Sequence, residues 1–266
     1  MTKSYVQEYC SHVPLALAFE RLLEVTFYKR INQYDRVLDL GAGDGVFARF
    51  AFGSRFIVSI EPQLQEIRHA RTMNQSWSGA QAWGANLPIS SDSIDIVVSN
   101  SVLEHIDNLS PVLNEIMRVL REGGRLLVTL PTDQFERFST FSSVLRAFRL
   151  NSLDDRFCSA YNKFWKHFHA YKPEKWQLLF QEHGLETVEA ITYGSRGSCL
   201  VNDLLAPFGV LAKVRRNRGY SWVISRSFRH GWLGPLVTTI SNHLEKSRHG
   251  DGLVFLELRK ATPSTR

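Results

Sequence analysis

The sequence predicts an α/β domain built on a mostly parallel sheet, with a ligand held at one edge of that sheet. Three observations carry the prediction. A short apolar strand runs straight into a glycine-rich turn at Val37–Gly45, a second strand ends in a carboxylate at Glu61, and strand-like runs then alternate with helical ones to the end of the chain.

In Val37-Leu-Asp-Leu-Gly-Ala-Gly-Asp-Gly-Val-Phe-Ala48, four strand residues precede glycines at positions 41, 43 and 45. Glycine lets the backbone turn sharply and leaves no Cβ between main chain and ligand. Strand, glycine turn and helix together make a first βα unit, with ligand beyond the carboxyl end of the strand. A dinucleotide site needs a small residue three positions after the second glycine; here that residue is Val46, and the third glycine comes one position early. Arg55–Ile60 reads as the second strand, and Glu61 follows about 20 residues past the first glycine. A carboxylate there can accept hydrogen bonds from both hydroxyls of a ribose.

The remaining elements follow from periodicity and punctuation. Pro14–Ile31 carries Leu15, Leu17, Ala18, Leu22 and Val25 near helical spacing, which predicts a helix covering the sheet. Glu66–Met73 supplies the helix after the second strand. Ser110-Pro111 predicts a helix with a hydroxyl N-cap, closed by Arg121–Gly124. Arg125–Leu130 is the fifth strand, Pro173–Gly184 a helix, Leu185–Thr192 a sixth strand and Gly252–Arg259 the last.

Four motifs in this order resemble those of the class I S-adenosyl-L-methionine (SAM) dependent methyltransferases, in the group that includes the ubiquinone and menaquinone C-methylases. They are Asp39-x-Gly41-x-Gly43-x-Gly45, Glu61, the Leu87-Pro88-Ile89 turn with its Ile94-Asp95-Ile96-Val97 strand, and Leu103-Glu104-His105-Ile106. The resemblance covers residues 35 to 131, with weaker echoes to 192. It implies a Rossmann-like sheet of about seven strands, the last antiparallel, with helices on both faces. It also implies SAM as cofactor: Asp39, Gly41, Gly43 and Gly45 at the methionine end, Glu61 on the ribose, Asn86 and Leu87 flanking adenine, and Asn100 on the sulfonium side. One departure stands out. The family places an acidic residue before the Leu-Pro turn to meet the adenine amino group, and here that place falls on Trp83 or Gly84.

Hydrophobic residues make up 44% of the 266 residues and aromatics 12%, enough for a substantial core. We expect a single domain, residues 1–266, with two insertions. The first, 132–172, holds ten aromatic rings and leaves the sheet after the fifth strand, which predicts a lid over an apolar acceptor pocket; a satellite core packed on itself is the plainer alternative. The second, 194–250, has nine basic residues against Asp203 and Glu245, so its net +7 accounts for the whole excess of a chain at +6. Its Trp and Phe residues among Arg and Lys fit peripheral contact with a membrane surface or an anionic amphiphile, with a nucleic-acid backbone ranked lower and a solvated cap as the plain reading.

Three dispersed cysteines (Cys10, Cys158 and Cys199) match no metal-ligand spacing and read as reduced thiols. No apolar run is long enough to span a membrane and no signal-peptide core opens the chain, so a cytoplasmic location is expected. Methyl transfer needs alignment and exclusion of water, with a general base only where the acceptor must lose a proton. His105, His167 and His169 are candidate bases, the last two on one side of an expected extended stretch, Phe164–Tyr171; His105 and His169 are favoured, and no metal is expected. The expected acceptor is small or amphiphilic, of lipid, prenyl or glycan type, and anionic. An RNA methyltransferase and a non-catalytic partner protein of the same fold remain as alternatives.

Overall fold

The computed structural model describes residues 3–31, 35–53, 57–73, 78–197, 214–215 and 250–261. Most of the expected second insertion, 194–250, and Cys199 therefore lie outside the described residues.

Seven strands form one sheet in the order β3-β2-β1-β4-β5-β7-β6: β1 (Val37–Leu40), β2 (Ile57–Ile60), β3 (Ser78–Ala80), β4 (Ile94–Asn100), β5 (Leu120–Pro131), β6 (Leu185–Tyr193) and β7 (Leu253–Lys260). The first five run parallel, and β7 inserts antiparallel between β5 and β6. The α-helices given for the described residues are α1 (Lys3–His12), α2 (Leu15–Val25), α3 (Val46–Phe52), α4 (Leu64–Met73), α5 (Ser110–Val119), α6 (Thr140–Ala147), α7 (Asn151–Trp165) and α8 (Pro173–Glu182).

Period-two alternation sends successive strand residues to opposite faces, and a separate core forms on each. Val37, Ile96, Val98, Leu127 and Phe255 meet α1, α2 and α3 on one face. Leu38, Leu40, Val97, Leu126, Val128 and Leu256 meet α5 and α8 on the other. The strand order reverses between β1 and β4, the neighbours of the first strand on either side being β2 and β4. That reversal opens a crevice at the carboxyl ends, where ligands of such sheets bind.

Local structure departs from expectation at four places. The helix expected over 14–31 stops at Val25, and Phe27–Arg30 is a tighter 3-10 turn; the Thr26 hydroxyl bonds to the Leu23 carbonyl at the junction. Ser110 is not the cap of α5. Leu109 occupies that position, and the Ser110 hydroxyl lies 3.3 Å from His183 Nε2 on α8. Gly123 and Gly124 do not separate helix from strand, because β5 already begins at Leu120, which pairs with Ile94 across a register shift. Finally, 164–171 is not a continuous extended stretch: α7 runs to Trp165, and Lys166 ends it in the left-handed region at φ +60°.

The anchor of the β5–α8 side is Trp176, fully buried, whose indole N–H donates to the Pro131 carbonyl at 3.0 Å and whose ring lies near-parallel to Phe180. Trp176→Ala leaves a cavity and an unpaired buried carbonyl. Urea unfolding should show a loss of about 3–5 kcal/mol with the m-value unchanged.

Candidate active site

The glycine turn sits against the end of β2. Gly41 and Ala42 donate their N–H groups to the Ile60 carbonyl at 2.8 and 3.2 Å, and Asp44 Oδ1 accepts from Val46 N–H at the start of α3. All three glycines have positive φ (+79°, +55° and +72°), but for different reasons. A Cβ at Gly41 would fall 2.5 Å from both methyls of Val102, and one at Gly45 3.0 Å from Ala70 Cβ. Gly43 faces open space, with no atom within 4 Å of where its Cβ would be. Two glycines thus permit close packing, and the one between them leaves backbone bare toward the crevice.

Glu61 stands at the crevice and is almost fully buried. Its Oε2 accepts from Gly43 N–H at 3.0 Å and its Oε1 from Gln63 N–H at 2.9 Å, so it fastens the turn to the strand end. Burial raises its pKa, and those two backbone donors pull it back. Each oxygen keeps lone pairs beyond these bonds. Asp39, one strand over and opposite Ser59, is buried and pushed up to about 7, first by desolvation and then by Glu61.

Beyond β4 lies a polar network that periodicity does not reveal. Glu24, fully buried on α2, accepts from Arg21 Nη1 at 2.7 Å, Asn100 Nδ2 at 2.8 Å and the Tyr193 hydroxyl at 2.9 Å. Asn100 Oδ1 in turn accepts from the Thr129 hydroxyl at 3.1 Å, so the Asn100 amide is committed at both ends. Arg21 and Glu24 are one helical turn apart on a helix predicted from its apolar residues; their role depends on which strand ends the helix crosses. The only sequence signal was a pair of charges within an apolar stripe.

Glu104 and His105 share the 3-10 turn Leu103–His105 after β4. Glu104 is buried, and its Oε2 has no hydrogen-bond partner among the described residues. Desolvation pushes its carboxyl up to about 8, offset by its own backbone N–H and by Arg21, and reinforced by Glu24 and Glu20. His105 Nδ1 lies 3.1 Å from the Lys166 carbonyl, which can only accept; the proton therefore sits on Nδ1, leaving Nε2 as the basic nitrogen, 3.9 Å from Glu104 Oε1. The His105 ring is also 5.1 Å from that of His167.

His169 is placed differently. Its Nε2 faces the Ile106 and Asp107 carbonyls at 2.9 and 3.1 Å and must carry the proton, while Nδ1 accepts from the Tyr171 hydroxyl at 2.9 Å. Both nitrogens are occupied in holding the chain after α7, so His169 has no lone pair for a base while these bonds stand. Leu87 is similarly committed: its side chain is in the core, its N–H donates to Glu115 Oε2 at 2.7 Å and its carbonyl accepts from Arg118 at 3.0 Å. Asn86 is exposed, and Trp83, in the loop after β3, is 72% exposed. Among the described residues no group of three or more His, Cys, Asp or Glu could hold a metal ion.

A glycine turn clamped by a strand-end carboxylate at the β1/β4 reversal, in a seven-stranded sheet with β7 antiparallel, defines the class I SAM-dependent methyltransferase fold. A family model described as a methyltransferase domain matches residues 4–190, and the chain belongs to that family. An uncharacterized methyltransferase of Mycobacterium sp. (strain JLS) is 35% identical over 89 residues, covering 33% of this chain and 35% of the relative. The matches thus span about a third of the length of the curated relatives. In fold, the chain resembles the crystal structure of a putative sarcosine dimethylglycine methyltransferase from Galdieria sulphuraria (TM-score 0.56, 18% identity, 91% of this chain and 84% of that one). It also resembles a geranyl diphosphate C-methyltransferase from Streptomyces coelicolor A3(2) (TM-score 0.50, 14% identity, 90% and 78%).

The two glycine environments separate packing from access. Gly41→Ala should lower stability by about 2 kcal/mol through steric overlap with Val102 and left-handed strain, read by thermal melting. Gly43→Ala meets no atom and should cost about 1 kcal/mol. For Glu104 the folded pKa lies above the ordinary 4.5, so the native state holds a proton that the unfolded chain has released. That contribution is complete below about 4.5 and is lost as pH rises through 8; Asp39 and Glu20, both pushed up to about 7, act with the same sign. The melting temperature should therefore fall between pH 5 and 9, and Glu104→Gln should flatten the part of the fall above pH 7.

Proposed function

We propose that the chain transfers the methyl group of SAM to an amphiphilic, anionic acceptor of lipid, prenyl or glycan type. The observation that carries the reading is the bond from Gly43 N–H to Glu61 at the strand reversal, which leaves bare backbone and an unsaturated carboxylate facing one crevice.

The residues present fit the cofactor. Asp39 and the three glycines would border its methionine end, and Glu61 would take the ribose hydroxyls with its remaining lone pairs. Asn86 and Leu87 would flank adenine, Leu87 through packing alone because both its backbone groups are engaged. Trp83 stands where the family has an acid; its exposed indole offers a flat face for a purine in place of a hydrogen bond. Asn100 would act on the sulfonium side through the network it anchors. When bound, SAM supplies a carbon activated for in-line displacement, and the chain's task is alignment and exclusion of water. Should the acceptor need to lose a proton, His105 Nε2 is the base, with Glu104 able to hold a proton beside it at neutral pH.

The acceptor class rests on the ring-rich 132–172 segment beyond β5, on the basic 194–250 segment and on the fold shared with an enzyme named for geranyl diphosphate. Calorimetric titration with SAM and with its demethylated product checks the first part. Micromolar binding is expected, weakened at least tenfold by Glu61→Ala (about 1.4 kcal/mol or more). Absence of binding to either ligand would reject the cofactor assignment. Prenyl diphosphates are the first acceptors to screen with labelled methyl donor.

A further inference from the structure

The first insertion is a helical hairpin, α6 and α7, and much of its apolar surface points away from the protein. Phe141 and Val144 on α6 and Phe148 at its C-terminal cap fall at i, i+3 and i+7 and are each about half exposed or more, Phe148 reaching 74%. Leu150, Leu153 and Phe164 continue the exposure into α7, where Leu153 and Phe164 are three helical turns apart on one face. The rings are contiguous: Phe141 packs on Phe157, Phe157 on Tyr161, Tyr161 on Trp165 and Trp165 on Phe164, with centroids 4.9 to 6.3 Å apart. Contiguous exposed apolar surface of this kind is what docking sites present.

The charge around the band is predominantly basic. Arg146, Arg149, Arg156, Lys163 and Lys166 are exposed, and none of them forms an ion pair among the described residues. The two acids of the hairpin, Asp154 and Asp155, are both bound to Arg137. We propose that the α6–α7 hairpin docks the protein on an anionic lipid bilayer, its apolar band entering the interface and its arginines and lysines meeting the headgroups. Charge complementarity selects that occupant. The 194–250 segment of the same chain, at net +7, would place like charges against this face, whereas anionic lipid neutralises both.

The placement also has a geometric consequence. The far end of α7 is tied to the candidate site, with Phe168 N–H donating to the Glu104 carbonyl at 2.8 Å and His105 Nδ1 donating to the Lys166 carbonyl. Fifteen helical residues span about 22 Å, so the hairpin turn at Phe148 stands one helix length from the His105 side chain. A docked hairpin therefore holds the sheet edge within reach of an amphiphile in the same bilayer.

The test is vesicle flotation of the full chain, which needs neither methyl donor nor acceptor and so is independent of the proposed reaction. Vesicles of phosphatidylcholine with one quarter phosphatidylglycerol should carry the protein, and pure phosphatidylcholine at least tenfold less. Phe148→Ser with Leu150→Ser, both at exposed positions, should cut binding at least tenfold with an unchanged melting temperature. Arg146→Ala with Arg149→Ala should weaken binding and reduce its salt dependence. Three outcomes overturn the proposal: no binding to either vesicle, binding indifferent to the hairpin substitutions, or a dimer in light scattering that the serine variant makes monomeric. The last would make a second copy of the chain the occupant.

Discussion

The structure turns on a carboxylate with no access to water. Glu24 gathers the Arg21 guanidinium, the Asn100 amide and the Tyr193 hydroxyl, and so ties α2 to the ends of β4 and β6. An ionised group pays heavily for burial unless its lone pairs are filled, and removing one donor from such a cluster costs more than the bond itself. The network therefore admits one placement of α2 over the sheet. It also sets the polar character of the ground beyond β4, where three glutamates (Glu20, Glu24 and Glu104) share one guanidinium, and two of them are raised to about 7 and 8.

On the other side of the strand reversal the constraint is steric. Val102 and Ala70 stand where side chains at 41 and 45 would have to go, so the turn exists only with glycine, and Glu61 then fixes the free loop by its Gly43 N–H. These two halves meet through Val102, which follows β4 by two residues and fills the space that Gly41 vacates. Substitution at the turn and displacement of the β4 end are thus coupled by direct contact rather than through the sheet.

In the ring-rich segment after β5, Phe135 and Tyr171 pack against the two cores, and Asn162, Arg137 and Phe168 are tied to Glu136, Asp154 and the Glu104 carbonyl, while Phe141, Phe148 and Phe164 are exposed. Composition reports that rings are present but not which way they point; the packing of α6 on α7 decides that and leaves Phe141, Phe148 and Phe164 exposed.

The sequence alone determined the sheet, its glycine turn and the strand-end carboxylate, since these follow from period, glycine spacing and burial within one βα unit. It placed α4, α5 and α8 to within a few residues but did not foresee α1, α6, α7 or β3, nor where α2 tightens into a 3-10 turn at Thr26, nor that β5 begins at Leu120, which pairing with β4 decides. Which side chains the site holds was a tertiary decision. His105 and His169 look alike in sequence, yet the carbonyls of 106 and 107 face His169 Nε2 and the Tyr171 hydroxyl its Nδ1, whereas His105 meets the carbonyl of 166 through Nδ1. Arg21 and Glu24 lie far along the chain from Asn100 and Tyr193 and meet them only because α2 crosses the sheet where β4 and β6 end. Long-range contacts of that kind leave no periodic trace, and they decide the chemistry of the crevice.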